Sequence, residues 1–145
     1  MSSTELFYEE IKPLKLRKSA VKRYINQLII NELKKSGNIN IIFCSDEYLL
    51  KMNKQYLEHD YYTDVITFNY VENNIISGDL FISYERIKEN AENYNTEIKR
   101  ELIRVVFHGI LHLVGYKDKT DAEKKIMREK EDFYLNEVDF EEIKL

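Results

Sequence analysis

The chain is 145 residues long, 43% hydrophobic and 33% charged, with a formal net charge of −4. That length suits one domain, residues 1–145, and the composition excludes disordered, collagen-like and coiled-coil chains. Only four Gly, one Pro and the single Cys44 exclude long flexible linkers and an internal disulfide framework, and fit a reducing compartment.

Leu6, Phe7 and Tyr8 predict a short strand over Glu5–Tyr8. From Leu14 to Lys35 the apolar residues Leu14, Leu16, Val21, Ile25, Leu28, Ile29 and Leu33 recur largely at three- and four-residue steps. This predicts an amphipathic helix introduced by Pro13 and ended by Ser36-Gly37-Asn38. Ile39 to Cys44 reads as a buried strand. Ser45 and Asp46 cap a helix that packs through Leu49, Leu50, Met52 and Tyr56. Glu58–Asp64 is polar and aromatic, a loop. Val65–Tyr70 and Gly78–Ser83 form a hairpin about a turn at Asn73-Asn74, and a helix follows over Tyr84–Tyr94. Asn95-Thr96 opens the next helix, whose Ile98, Leu102, Val105, Val106, Ile110, Leu111 and Leu113 make it apolar on much of its circumference and therefore central. Gly115 ends it. A charged helix from Asp121 to about Glu137 packs through Ile126, Phe133 and Leu135. The order βαβαββααα predicts an α+β, mixed-sheet single domain.

No apolar run reaches the roughly 18 residues of a membrane span. The N-terminal MSSTELFYEEIK carries acids where a signal peptide needs a basic and then an apolar region. A soluble cytoplasmic protein with no membrane partner is expected. Charge is unevenly spread: Ile11 to Asn31 holds no acid but has Lys12, Lys15, Arg17, Lys18, Lys22 and Arg23, while the chain from Asp121 onward carries nine acids against five bases. The basic stripe reads either as a solvated helix face or as a phosphate-binding track.

The sharpest signal is His108-Gly-Ile-Leu-His112-Leu-Val-Gly115-Tyr-Lys-Asp118. Histidines four apart on a helix share a face, at a spacing a transition metal can bridge. Gly115 stops the helix, so that Asp118 can turn back toward the same ion. Two imidazoles, one carboxylate and an open position suit a hydrolytic zinc site. The spacing tells against a zincin protease, because its general-base glutamate would stand at Gly109. The competing reading is a pair of partly buried helix histidines. Two of the three histidines on the most apolar helix favour a site, since burying imidazoles without partners is costly.

These residues resemble the YbeY-type single-strand-specific endoribonucleases, bacterial rRNA maturation factors. The family's His-Gly-x-Leu-His-Leu-x-Gly-Tyr-Asp-His is matched from His108 through Tyr116. Its Asn-x-x-Tyr-Arg and Asp-x-Pro-Thr-Asp-Val-Leu-Ser-Phe are matched at Asn53, Tyr56, Asp60, Thr63-Asp64-Val65 and Phe68. Gly78-Asp79-Leu80-Phe81-Ile82-Ser83 follows its Gly-Asp-Ile-x-Ile-Ser, and Met127 and Glu131 fit its Met-x-x-x-Glu helix. The likeness spans about Ile39 to Glu137. Three departures stand out: the third metal-binding histidine falls on Asp118 and its preceding aspartate on Lys117, the arginine after the tyrosine falls on Leu57, and the proline falls on Tyr62.

The resemblance implies a small mixed four-stranded β-sheet flanked by helices, with the central His-bearing helix packed against it. It also implies a metal-dependent endoribonuclease of rRNA maturation and ribosome quality control. Its partners would be rRNA, ribosomal components and single-stranded RNA rather than DNA. The metal would be one Zn2+, or another divalent transition metal, on His108, His112 and Asp118; a carboxylate in place of the third imidazole is a harder ligand. Asp118 is also counted among the catalytic groups. Arg104, one turn before His108, is the nearest substitute for the cation missing at Leu57, ahead of His59 and Lys54; its other reading is an exposed helix arginine. Asp64 and Asp79 either support a metal-binding imidazole or serve as turn chemistry. Tyr61, Tyr62 and Tyr116 either stack on unpaired bases or pack on their own domain. Lys15, Arg17, Lys18 and Lys22 would contact RNA. The alternative function is a non-catalytic ribosome-assembly or RNA-binding factor whose metal is structural or absent. Cys44 reads as a buried thiol.

Overall fold

An isoleucine-rich strand forms the spine of the fold. The computed structural model describes residues 3–58 and 63–145, so the readings of His59, Tyr61 and Tyr62 and the family match at Asp60 lie outside the described residues. Among the described residues the order is β1 (Ser3–Glu9), α1 (Lys18–Asn31), β2 (Lys35–Cys44), α2 (Asp46–Leu57), β3 (Val65–Asn69), β4 (Ile75–Ser83), α3 (Tyr84–Asn93), α4 (Ile98–Val114) and α5 (Asp121–Leu135), with a 3₁₀ turn at Phe140–Glu142. The strands form one sheet in the order β1-β2-β4-β3. β2 pairs in parallel with β1 and β4, and β3 runs antiparallel to β4 at the edge. This is the mixed four-stranded α+β domain that the sequence predicts.

Alternation along the strands assigns the two faces. Ile39, Ile41 and Phe43 of β2 and Ile76, Leu80 and Ile82 of β4 are buried in the main core with Val21, Ile25 and Leu28 of α1, Ile87 of α3, and Met127 and Leu135 of α5. Cys44, Leu49 and Ile66 form a smaller core on the other face, beneath Tyr48 and Met52 of α2 and beside Phe68 and Phe81. α4 runs through the main core with Leu102, Ile103, Val105, Val106, Phe107, Ile110 and Leu111 all buried, as its all-round apolar pattern requires. It lies directly on β4 at Gly109, where a Cβ would stand 2.4 Å from Leu80 Cδ2 and 2.9 Å from its Cγ. The glutamate of a zincin has no room there.

β1 and β4 extend beyond their predicted bounds, to Ser3–Glu9 and back to Ile75, and both ends of α1 differ from the sequence reading. α1 begins at Lys18 instead of Leu14, because Leu14 and Leu16, two residues apart, dock on the core from an extended segment in which Leu16 bridges Lys144. Lys12, Lys15 and Arg17 therefore precede the helix. The helix also ends at Asn31, and Lys35–Gly37 open β2, with a register shift between Ser36 and Ile39. Gly37 marks a close approach to β4, since a Cβ there would meet Ser77 Oγ at 2.1 Å. Among the described residues no helix is long and apolar enough to cross a membrane.

Candidate metal centre

The last two turns of α4 carry His108 and His112, and the helix stops at Gly115, whose φ of +126° lies in the region that favours glycine. The Gly115 and Tyr116 amides both bond the Leu111 carbonyl, at 3.1 and 3.0 Å, which turns the chain back over the helix end. Asp118 thereby meets both rings: its Oδ2 lies 3.1 Å from His108 Nε2 and 3.2 Å from His112 Nε2, and the two Nε2 atoms are 3.1 Å apart. Zinc bonds of about 2.0–2.1 Å in tetrahedral geometry place neighbouring ligand atoms roughly 3.3 Å apart. Among the described residues these three are the group whose donor atoms converge closely enough to hold a metal.

The hydrogen bonds behind the rings decide what the front offers. His108 Nδ1 lies 2.7 Å from Glu131 Oε2, and His112 Nδ1 lies 2.9 Å from the Tyr116 carbonyl. Both outer partners are acceptors, so both Nδ1 atoms carry the hydrogen and a neutral ring presents its Nε2 lone pair forward. Two lone pairs and a carboxylate within 3.2 Å call for a cation between them. The electrostatics agree: burial opposes charge on His108, yet Glu131, Asp118 and Asp64 outweigh it and raise its pKa. The residues present therefore fit a divalent metal.

The site opens onto a cleft of about 470 Å³ between α4 and the edge strand β3, lined among others by Asn53, Leu57, Asp64, Thr67 and Asn69. Asp64 sits in that cleft just before β3, and its carbonyl accepts the Ser83 amide at 2.9 Å. Asp79 does not join it: it accepts from Asn40 Nδ2 at 2.9 Å, while its neighbours Leu80 and Gly78 face the α4 side. Arg104 is turned away too. Its Nε bonds Glu101 Oε1 at 2.9 Å and its Nη1 bonds Glu131 Oε1 at 3.0 Å, with Nη2 also on Glu101. Burial would lower its pKa, but the two carboxylates raise it. Leu57 lines the cleft where the family has its arginine.

The basic residues lie elsewhere. Lys15 and Arg17 border a concavity with Lys99, Lys144 and Glu141, Lys22 stands 3.8 Å from Glu5, and Lys18 opens α1. Sequence reasoning did not rank Glu131 or Glu101 as site residues, although both are 2% exposed. A signal existed for Glu131: it falls at helical steps with Met127, Tyr134 and Leu135, the face that packs, whereas Ile126 and Phe133, read as packing residues, are exposed.

Fold and site together define a small α+β protein with two histidines and one carboxylate placed to hold a metal at the mouth of an open cleft. A sequence model of the family described as Endoribonuclease YbeY matches residues 7–139. A Parabacteroides distasonis protein named Endoribonuclease YbeY is 50% identical over 125 residues, covering 86% of this chain and 88% of its own. Its namesake from Cytophaga hutchinsonii is 48% identical over 135 residues, covering 92% and 94%. The solution structure of a Thermotoga maritima protein superposes with a TM-score of 0.67 at 31% identity, over 92% of this chain and 87% of that one. The chain belongs to the YbeY endoribonuclease family.

Proposed function

We propose that this chain is a metal-dependent endoribonuclease that cuts single-stranded RNA during rRNA maturation and ribosome quality control in the cytoplasm, with zinc on His108, His112 and Asp118. The observation that carries this reading is the convergence of three acceptor atoms at 3.1–3.2 Å on the wall of an open cleft, in a chain whose relatives are named endoribonucleases. A divalent ion in such a site supplies Lewis acidity toward a phosphoryl oxygen and acidifies a water. Asp118 brings negative charge to that centre, and Asp64 lies in the same cleft. In this reading Arg104 acts through Glu131, which it and His108 share, rather than on the phosphate. Asp79 braces β2 against β4 through Asn40. Lys15, Arg17, Lys18 and Lys22 bind RNA away from the cut.

One observation favours the second reading, a non-catalytic assembly factor bound to ribosomal components: among the described residues lining the cleft there is no lysine or arginine. Metal content and RNA cleavage of wild type, His112→Ala and Asp118→Ala decide between them. The enzyme reading expects about one zinc per wild-type chain, metal lost in both variants, and cleavage reduced at least about a hundredfold in folded His112→Ala. Zinc bound by wild type with equal, residual cleavage in all three proteins favours the assembly factor.

A further inference from the structure

Glu32 belongs to none of the motifs singled out in the sequence. It follows α1, and its side chain is only 8% exposed. Tyr116 donates its hydroxyl to Glu32 Oε1 at 2.6 Å. Glu32 Oε2 accepts from Lys130 Nζ at 3.2 Å and from the Tyr134 hydroxyl, which itself accepts from Asn31 Nδ2 at 2.8 Å. Lys130 also stands over the Tyr116 ring, 5.5 Å from its centroid. Burial would raise the Glu32 pKa, but the two phenols and the ammonium reverse that and hold the carboxylate ionised.

The partners of this carboxylate are the two supports of the metal ligands. Tyr116 provides the carbonyl that fixes the His112 tautomer. α5, gripped at Lys130 and Tyr134, provides Glu131, which fixes His108. We propose that Glu32 is a positioning residue for the metal centre: one buried carboxylate, outside the ligand set, clamps the Gly115–Asp118 turn and α5 to the end of α1 and so sets the spacing of His108, His112 and Asp118. The inference rests on the metal-site reading above. A carboxylate suits the task because its two oxygens accept separate charge-assisted bonds, one toward each support.

The experiment measures zinc affinity by chelator competition, and the visible spectrum of the cobalt-substituted protein, for wild type, Glu32→Gln, Tyr116→Phe and Tyr24→Phe. Tyr116→Phe removes only the hydroxyl and leaves the carbonyl that holds His112. Tyr24→Phe is the matched control: it removes a hydroxyl of α1 that bonds Glu142 at 3.0 Å and the Asp139 amide at 3.0 Å, with no link to either imidazole. Glu32→Gln and Tyr116→Phe are expected to weaken zinc binding roughly tenfold or more and to alter the cobalt spectrum, as losses of outer-sphere partners do. Tyr24→Phe should lower thermal stability but keep affinity within twofold. Wild-type affinity in both Glu32→Gln and Tyr116→Phe overturns the inference, as does an equal loss in Tyr24→Phe. If Glu32→Gln does not fold, Tyr116→Phe alone decides. Zinc not bound by wild type sinks the underlying metal-site reading instead, a result distinct from all of these.

Discussion

Cys44 shows how one buried group writes itself into the pH dependence of the whole chain. Fully buried between α2 and the sheet, its thiol is pushed by burial, and by surrounding acids led by Asp46, from an ordinary 9.0 up to about 12. Below pH 9 it is neutral whether the chain is folded or not, and its contribution to stability is complete. As pH rises from 9 toward 12 the unfolded chain releases the proton and the folded chain keeps it, so stability falls by about 1.4 kcal/mol per pH unit from this group alone. Urea unfolding of wild type and Cys44→Ala between pH 8 and 10.5 checks this: the gap in favour of wild type should narrow above pH 9. A gap independent of pH contradicts it. The same thiol should resist disulfide reagents in the native state. At this scale the convergence of His108, His112 and Asp118 was legible, because a helical repeat and a glycine stop are local signals. The partners Glu101 and Glu32 were not, and Glu131 showed only as a place on the packing face of α5. An acid looks solvated until contacts distant in sequence, as between His108 and Glu131, 23 residues apart, reveal what it faces.

Among the elements, the contact of α4 with β4 governs where the imidazoles stand. Gly109 lies between the two histidines, and its missing Cβ lets the helix settle against Leu80. Gly109→Ala raises helix propensity by about 1 kcal/mol but forces an overlap whose relief costs roughly 1–3 kcal/mol in a packed core. The expected outcome is net destabilisation of about 1 kcal/mol in urea unfolding. Leu80→Val should cost less stability in the Gly109→Ala background than alone, because the two side chains share one space. Additive effects, or a stabilised Gly109→Ala, would contradict this packing account. Element types and order were readable from periodicity and β-branching, whereas the ends of α1 were not. Leu14 and Leu16 repeat at two residues and Gly37 serves a close approach of β2 to β4, yet both sat beside a strong helical pattern and were absorbed into it.

Over the whole molecule, charge and catalytic chemistry stand apart. Lys99, which shares a concavity with Lys15, Arg17 and Lys144, is near the start of α4, while His108 and His112 are near its end, about 13 to 20 Å further along the axis. The acid-rich segment after Asp121 contributes Glu131 to His108 and Glu142 to Arg23, so part of the excess negative charge is neutralised internally. On the function proposed above, a protein of net charge −4 would attract RNA through a local patch rather than through its overall field. Changing Lys15, Arg17, Lys18 and Lys22 together to alanine should weaken binding of an RNA long enough to reach from the cleft to this patch. Each lost phosphate contact should flatten the slope of log affinity against log salt by about 0.7, or roughly 3 in all if every cation engages. Cleavage of an oligonucleotide too short to reach the patch should stay within twofold of wild type, since none of the four residues lines the cleft. Titrations of both RNAs across a salt series provide the measurement. Equal losses on long and short RNA would mean that these cations act through the fold or at the cleft itself, and unchanged binding of the long RNA would remove them from the RNA path.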